Sequence, residues 1–234
     1  MSTTLSLLEN KAQAFKKPKL ILFDLDGTLL DSAEGVFAAI EHALESHGLK
    51  PAFNRSELKP FTGYGVSYLL RRICPSLSDQ QLQALKDDAF SHYKQQAAFT
   101  TSAYPKIKPL LQSLKQHRID WGIITSKTRG LTEAVIDKIP DYKAMKILIC
   151  RDDLPCAKPH PMALCHAMRK FNLPAACVLY VGDSLSDMRA AKYAGCRAIL
   201  AGYGYLPEAA DDWPYAAKIE HPEQLQKWII SLSV

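Results

Sequence analysis

A doubly wound α/β sheet carrying a helical insertion is the fold that three observations on this 234-residue chain predict. Short apolar runs alternate with helical patterns over most of the sequence, as expected of parallel strands joined by crossover helices. A stretch of about 70 residues near the N-terminal end breaks that alternation and reads as helix. Four short segments rich in carboxylate, hydroxyl and ammonium groups fall where predicted strands end, the edge at which open parallel sheets bind ligands.

The elements follow in order. Residues 1–17 read as a polar extension. Lys19-Leu20-Ile21-Leu22-Phe23 is too short for a helix and fits a buried strand. From Leu30 to Ala103 no strand is predicted. Val36, Ile40 and Leu44 form one apolar helical face there, and Leu82, Leu85 and Ala89 form another behind a Ser78-Asp79 start signal. Ile107, Leu110, Leu111 and Leu114 keep the helical period after Pro105, which favours a helix start. Strands are predicted at Ile119–Thr125, Lys146–Cys150, Cys177–Val181 and Arg197–Ala201. Between them, Leu164, Met168 and Phe171 mark a helix after Pro161, and another runs from Leu185 to Ala194 with Gly195 placed to end it. The division is a catalytic core of residues 1–29 and 101–234, with a cap of residues 30–100.

Composition narrows the class. Hydrophobic residues make up 47% and charged residues 23%, which fits an ordinary globular protein. The net charge of +5 is spread along the chain, apart from a short cluster at Lys16, Lys17 and Lys19, so no nucleic-acid partner is expected. No apolar stretch is long enough to span a membrane, and the N-terminus has no signal-peptide pattern, so a cytoplasmic protein is expected. The six cysteines form no C-x-x-C pair. They read as buried reduced thiols rather than a zinc site.

The chemistry lies in Asp24-Leu25-Asp26-Gly27-Thr28, Thr125-Ser126-Lys127, Lys158-Pro159 and Gly182-Asp183-Ser184-Leu185-Ser186-Asp187. Together they offer a nucleophile, an acid, phosphate donors and a cation site, the equipment of phosphoryl transfer. In this order the four segments resemble the haloacid dehalogenase superfamily of phosphatases over nearly the whole chain after the extension. The resemblance implies a Rossmann-like three-layer core and a helical cap inserted after the first motif.

It also implies the roles. Asp24 attacks phosphorus and forms an aspartyl-phosphate, and Asp26 protonates the leaving alkoxide and then deprotonates water. Asp24 is then ionised beside the cation and Asp26 protonated at first. The second aspartate excludes dehalogenation, because halide needs no proton. Thr125, Ser126 and the adjoining backbone N–H bind the transferring phosphoryl oxygens, and Lys158 neutralises charge shared with Asp24. Lys127 flanks the site. The Lys158–Pro159 bond is expected to be cis. Asp24, the Asp26 carbonyl and Asp183 ligate the metal, and an all-oxygen, partly hydrated site suits Mg²⁺. Asp187, one helical turn beyond Asp183, orients Lys158 or a metal-bound water.

In the cap, Gly63, Tyr64 and Gly65 resemble the specificity loop of phosphoglycolate phosphatase-like members, and Arg71 could meet a substrate carboxylate. Hinges are expected at Leu29–Ala33 and Phe99–Tyr104. The opening Asp24–Ser32 resembles that same branch. Trp121-Gly122, Tyr203-Gly204-Tyr205, Trp213 and His221-Pro222 resemble phosphatases of N-acetylmuramic acid 6-phosphate. The expected substrate is thus a small phosphate monoester, with the amino sugar as the alternative, acted on by a monomer or homodimer. A phosphosugar mutase and a phospho-accepting regulatory module are the competing classes. Thr28 counts against the first, and Asp26 with the large cap against the second.

Overall fold

The computed structural model describes residues 17–207 and 210–231. The extension read at residues 1–17 therefore lies, but for Lys17, outside the described residues. Six strands form a wholly parallel sheet: β1 (Leu20–Phe23), β4 (Asp120–Ile124), β5 (Ile147–Ile149), β6 (Val178–Gly182), β7 (Arg197–Ala201) and β8 (Ala217–Ile219), in the order β5-β4-β1-β6-β7-β8. β1 lies between β4 and β6. Consecutive strands diverge on either side of it, which opens a crevice at the carboxyl edge. The edge strand β8 is not among the predicted strands; its Ala-Lys-Ile is too short and too mixed to signal one.

The strands alternate as half-buried faces require. Ile21, Phe23, Ile123, Leu179, Val181 and Ile199 enter one apolar cluster, whereas Leu20, Leu22, Ile124, Val178, Tyr180 and Leu200 enter another. The first face is covered by α5 (Ile107–Gln116) and α9 (Pro222–Ser231), through Leu110, Leu114, Leu225 and Trp228. The second is covered by α7 (Met162–Phe171) and α8 (Leu185–Ala194), through Leu164, Ala167, Met188 and Ala191. All four β1 residues are buried. Burial of side chains of this size is worth about 1.5–3 kcal/mol each, so the strand carrying the first motif is among the most firmly held. Gly195 ends α8 in the left-handed region at φ 73°, as its position predicts.

Helices occupy the insertion: α1 (Ala33–Ser46), α2 (Arg55–Leu58), a 3₁₀ turn (Lys59–Tyr64), α3 (Val66–Ile73) and α4 (Asp79–Thr100). Ser78 and Gln81 close a capping box at the start of α4, where the sequence places a helix start. The expectation of no strand between Leu30 and Ala103 needs one correction. β2 (Leu30–Asp31) and β3 (Ser102–Ala103) pair antiparallel, Leu30 with Ala103 and Asp31 with Ser102, and so join the two ends of the insertion. Each is only two residues long, below what periodicity can register. The apolar core of the insertion, with Phe37, Ile40, Leu69 and Leu85, is continuous with the first face of the sheet. α4 packs on α1 and also on the core helix α6 (Arg129–Ile136).

No helix among the described residues is long and apolar enough to cross a membrane. All six cysteines are free thiols, but only Cys150 and Cys196 are buried, because the others sit at helix and loop margins.

Candidate active site

Every polar segment singled out in the sequence reaches the carboxyl edge of β1, β4, β5 or β6. Asp24 follows β1. Its Oδ1 accepts the Leu25 N–H at 2.7 Å and Lys158 Nζ at 2.9 Å, and no hydrogen bond reaches Oδ2 from the described residues. Burial, then the charge of Asp187, push its pKa up to about 7 against the opposing pull of Lys158.

Lys158 is almost fully buried and bridges Asp24 to Asp187 Oδ1, the latter at 2.6 Å. Burial opposes its charge, but Asp187 and Asp24 outweigh burial and hold its pKa above the usual lysine value. The Lys158–Pro159 peptide is cis, as the resemblance implies. Asp187 is fixed by local sequence. Ser184 caps α8, and its backbone N–H and hydroxyl both donate to Asp187 Oδ2, at 3.0 and 2.6 Å. Tyr180 Oη and Lys158 Nζ meet Oδ1 at 2.9 and 2.6 Å, so both Asp187 oxygens are engaged.

Asp183, after β6, is differently placed. Its Oδ2 accepts the Tyr205 N–H at 2.7 Å, and Oδ1 has only the Thr28 hydroxyl at 3.4 Å. Burial, then Asp24 and Asp187, raise its pKa well above the carboxylate range. Carboxylate oxygens of Asp24, Asp183 and Asp187 lie within 4.8 Å of one another. Three buried carboxylates share a single lysine, which leaves negative charge that a hard divalent cation would neutralise. The donor set fits such an ion. Asp24 and Asp183 retain oxygens for it, whereas Asp187 is committed to Lys158, Tyr180 and Ser184.

Gly27 makes the close approach possible. It adopts φ 78°, and a Cβ there would lie 1.9 Å from Asp183 Oδ2. Gly27→Ala should cost at least about 1–2 kcal/mol from backbone strain alone and displace Asp183. A lower midpoint in thermal unfolding together with weaker metal binding is the expected result; an unchanged midpoint would show that the loop relaxes freely.

Thr125 and Ser126 follow β4 and line a half-open cleft of about 730 Å³ between the sheet edge and the insertion. Thr125 Oγ1 accepts the Lys127 N–H at 3.1 Å, which leaves its own proton free to donate. Asp24, Asp26 and Ser184 line the same cleft, with Val36, Thr62, Gly63, Gly65, Val66, Phe90 and Leu131 on the opposite and side walls.

Sequence reasoning left Lys127 merely flanking the site. Its Nζ instead lies 3.0 and 2.9 Å from the two Asp26 oxygens and 3.0 Å from Tyr93 Oη, on α4. Burial opposes its charge, but Asp26 and Tyr93 raise its pKa above the lysine norm. Ser32 donates to Asp26 Oδ1 at 2.5 Å, another contact that spacing alone did not reveal.

Of the specificity residues expected in the cap, Gly63 and Gly65 line the cleft. Tyr64 is 53% exposed and turns outward to stack with Phe61 and Tyr68. Arg71 is not brought to the cleft. Its guanidinium pairs with Asp79 and the Leu77 carbonyl, because residue 71 falls on the outer face of α3, beside the start of α4. The C-terminal aromatic residues also stay out of the cleft. Tyr205 Oη accepts the Ser32 and Ala33 N–H groups at 2.7 and 2.9 Å and donates to Asp31, while Tyr203 donates to the Thr28 carbonyl.

Fold and site together define an α/β enzyme with an acidic, metal-capable centre on the carboxyl edge of a parallel sheet. The chain belongs to the haloacid dehalogenase-like hydrolase family, whose model matches residues 21–201. It is 31% identical over 212 residues to a phosphoglycolate phosphatase of Xanthomonas campestris pv. campestris, spanning 89% of this chain and 95% of that one. It is 27% identical to an N-acetylmuramic acid 6-phosphate phosphatase of Pseudomonas aeruginosa, spanning 88% and 92%. A crystal structure described as a predicted phosphoglycolate phosphatase from Haemophilus somnus 129pt superposes with a TM-score of 0.80 at 26% identity, covering 91% of this chain and 98% of that one.

Proposed function

We propose that the protein is a Mg²⁺-dependent phosphatase that hydrolyses a small phosphate monoester through an aspartyl-phosphate on Asp24, in the manner of phosphoglycolate phosphatases. One observation carries the reading. Asp24 turns a carboxylate oxygen without a hydrogen bond into a cleft whose near wall holds a free hydroxyl proton on Thr125 and, behind it, a charged buried lysine. The names of the relatives support the same reading.

In this reading Asp24, Asp183 and the Asp26 carbonyl would hold the magnesium ion, which when bound offsets negative charge on the carboxylates and the phosphoryl oxygens. The free Asp24 oxygen attacks phosphorus in line. Thr125 and the backbone N–H groups beside Ser126 hold the equatorial oxygens, and Lys158 balances the charge that Asp24 passes to the phosphoryl group. Asp187 holds Lys158 in place. Asp26 gives a proton to the leaving oxygen and takes one from the water that hydrolyses the acyl-phosphate. Residues 1–29 and 101–234 form the catalytic core and residues 30–100 a cap whose hinges are the paired segments around β2 and β3. The reading retains a cytoplasmic monomer or homodimer without nucleic-acid or membrane partners.

A second substrate reading, N-acetylmuramic acid 6-phosphate, has one observation in its favour. The wall facing Asp24 is largely apolar, with Val36, Val66, Phe90 and Leu131, and Lys127 is the one cation lining the cleft among the described residues. A small dianionic acid gains little from such a wall, whereas an amino sugar presents apolar surface to it. The deciding experiment compares kcat/KM for phosphate release from 2-phosphoglycolate and from N-acetylmuramic acid 6-phosphate with Mg²⁺. A preference of about tenfold or more for either selects between them. Release from neither would overturn the phosphatase reading.

A further inference from the structure

We propose that Lys127 is a positioning residue for Asp26, and that Tyr93 of the insertion sets Lys127, so that the proton-transfer group is aligned when the insertion is seated on the core. The inference rests on the reading of Asp26 as proton donor and goes beyond it by assigning how that donor is held.

The geometry is specific. The main chain of Lys127 is fixed at the phosphate-binding turn, where its N–H donates to Thr125 Oγ1 at 3.1 Å. From there the side chain crosses the cleft floor, 8% exposed, and Nζ meets both Asp26 oxygens and Tyr93 Oη within 3.0 Å. The ammonium also lies 4.5 Å from the centroid of the Tyr93 ring, a cation–π contact strengthened by exclusion of water. Tyr93 is 4% exposed and belongs to α4, the helix that packs both on α1 and on the core helix α6.

The remaining grip on Asp26 is the Ser32 hydroxyl, at the point where the chain leaves β2 for α1. Asp26 is therefore held from the insertion twice, once directly and once through Lys127. A shift of α4 away from α6 would take Tyr93 from Lys127 and loosen the side chain that fixes Asp26. Placing a catalytic carboxylate within a fraction of an ångström is what such supporting contacts supply.

The experiment uses the full chain with Mg²⁺ and a series of phosphate monoesters that lack any second anionic group. It runs from p-nitrophenyl phosphate, whose phenolate departs without a proton, through phenyl phosphate to an alkyl phosphate. In Lys127→Met, kcat/KM is expected to fall about tenfold or more on the alkyl ester and less than about twofold on the p-nitrophenyl ester. Tyr93→Phe removes one oxygen and should show the same trend more weakly; it carries the test if Lys127→Met fails to fold. Asp26→Asn, measured alongside, separates the two layers. If Asp26→Asn itself loses nothing more on the alkyl ester than on the aryl ester, the reading of Asp26 as proton donor is wrong. If Asp26→Asn shows that dependence while Lys127→Met and Tyr93→Phe lose activity equally on all esters, or not at all, the positioning role is wrong. A loss in Lys127→Met confined to substrates bearing a carboxylate would also overturn it, making Lys127 a substrate contact.

Discussion

Asp24→Asn should abolish phosphate release, by roughly 10⁴-fold or more, while the fold persists. The amide oxygen can still accept the Leu25 N–H and Lys158, the two contacts that hold this side chain. What disappears is the anionic oxygen that faces the cleft, and with it the covalent route. Stability should not fall. Asp24 is one of three buried carboxylates sharing one lysine, and its pKa is pushed up to about 7 by burial and by Asp187, so its charge burdens the metal-free fold. The unfolding midpoint of the variant in metal-free buffer should match or exceed that of the parent. Steady-state phosphate release, acid-quench trapping of labelled phosphate and a thermal melt check the three parts. Appreciable residual turnover would remove Asp24 from the nucleophile's role.

Chelation should destabilise the protein in a pH-dependent way. Asp24 and Asp183 both have folded-state pKa values above the unfolded value of 3.8, Asp24 at about 7. Between those values the native state binds more protons than the unfolded state, so metal-free stability falls as pH rises through the window. A divalent cation offsets the same charges and competes with the same protons. Saturating Mg²⁺ should therefore raise the unfolding midpoint clearly at about pH 8 and little at about pH 5.5. At a hundredfold excess over Kd the stabilisation is about 2.7 kcal/mol, several degrees for a chain of this size. In Asp183→Ala the increment should largely vanish. Equal Mg²⁺ increments at both pH values would mean that these carboxylates do not form the cation site.

Much of this was legible in the sequence for a physical reason. Leu20–Phe23 and Val178–Gly182 are buried on both faces, so their residues are continuously apolar and stand out. Helix α8 was readable to its ends because Gly195 closes it, and Ser184 and Asp187 open it with a box that also aims Asp187 at Lys158. What escaped was everything that depends on distant pairing. The β2/β3 ribbon is too short to have a period, and β8 is an edge strand of mixed character. Lys127 with Tyr93 joins residues 34 positions apart. A lysine after a strand and a tyrosine in a polar helix each have an ordinary surface reading, and only their meeting in a buried place gives them another. Arg71 shows the converse: its charge invited a substrate role, but the helix turns it toward Asp79.

The pairing of Leu30 with Ala103 and Asp31 with Ser102 bears on how such a chain can fold and change. Because the two ends of the insertion meet, the sheet experiences everything between them as a loop of nearly zero span, whatever its length. The entropy of closing that loop grows only slowly with the number of residues inside it, about 0.6 kcal/mol for each doubling. Helices can be lengthened, shortened or exchanged beyond the ribbon at small cost to the sheet. The recognition surface of the enzyme can thus diversify on a different schedule from the groups that perform its chemistry.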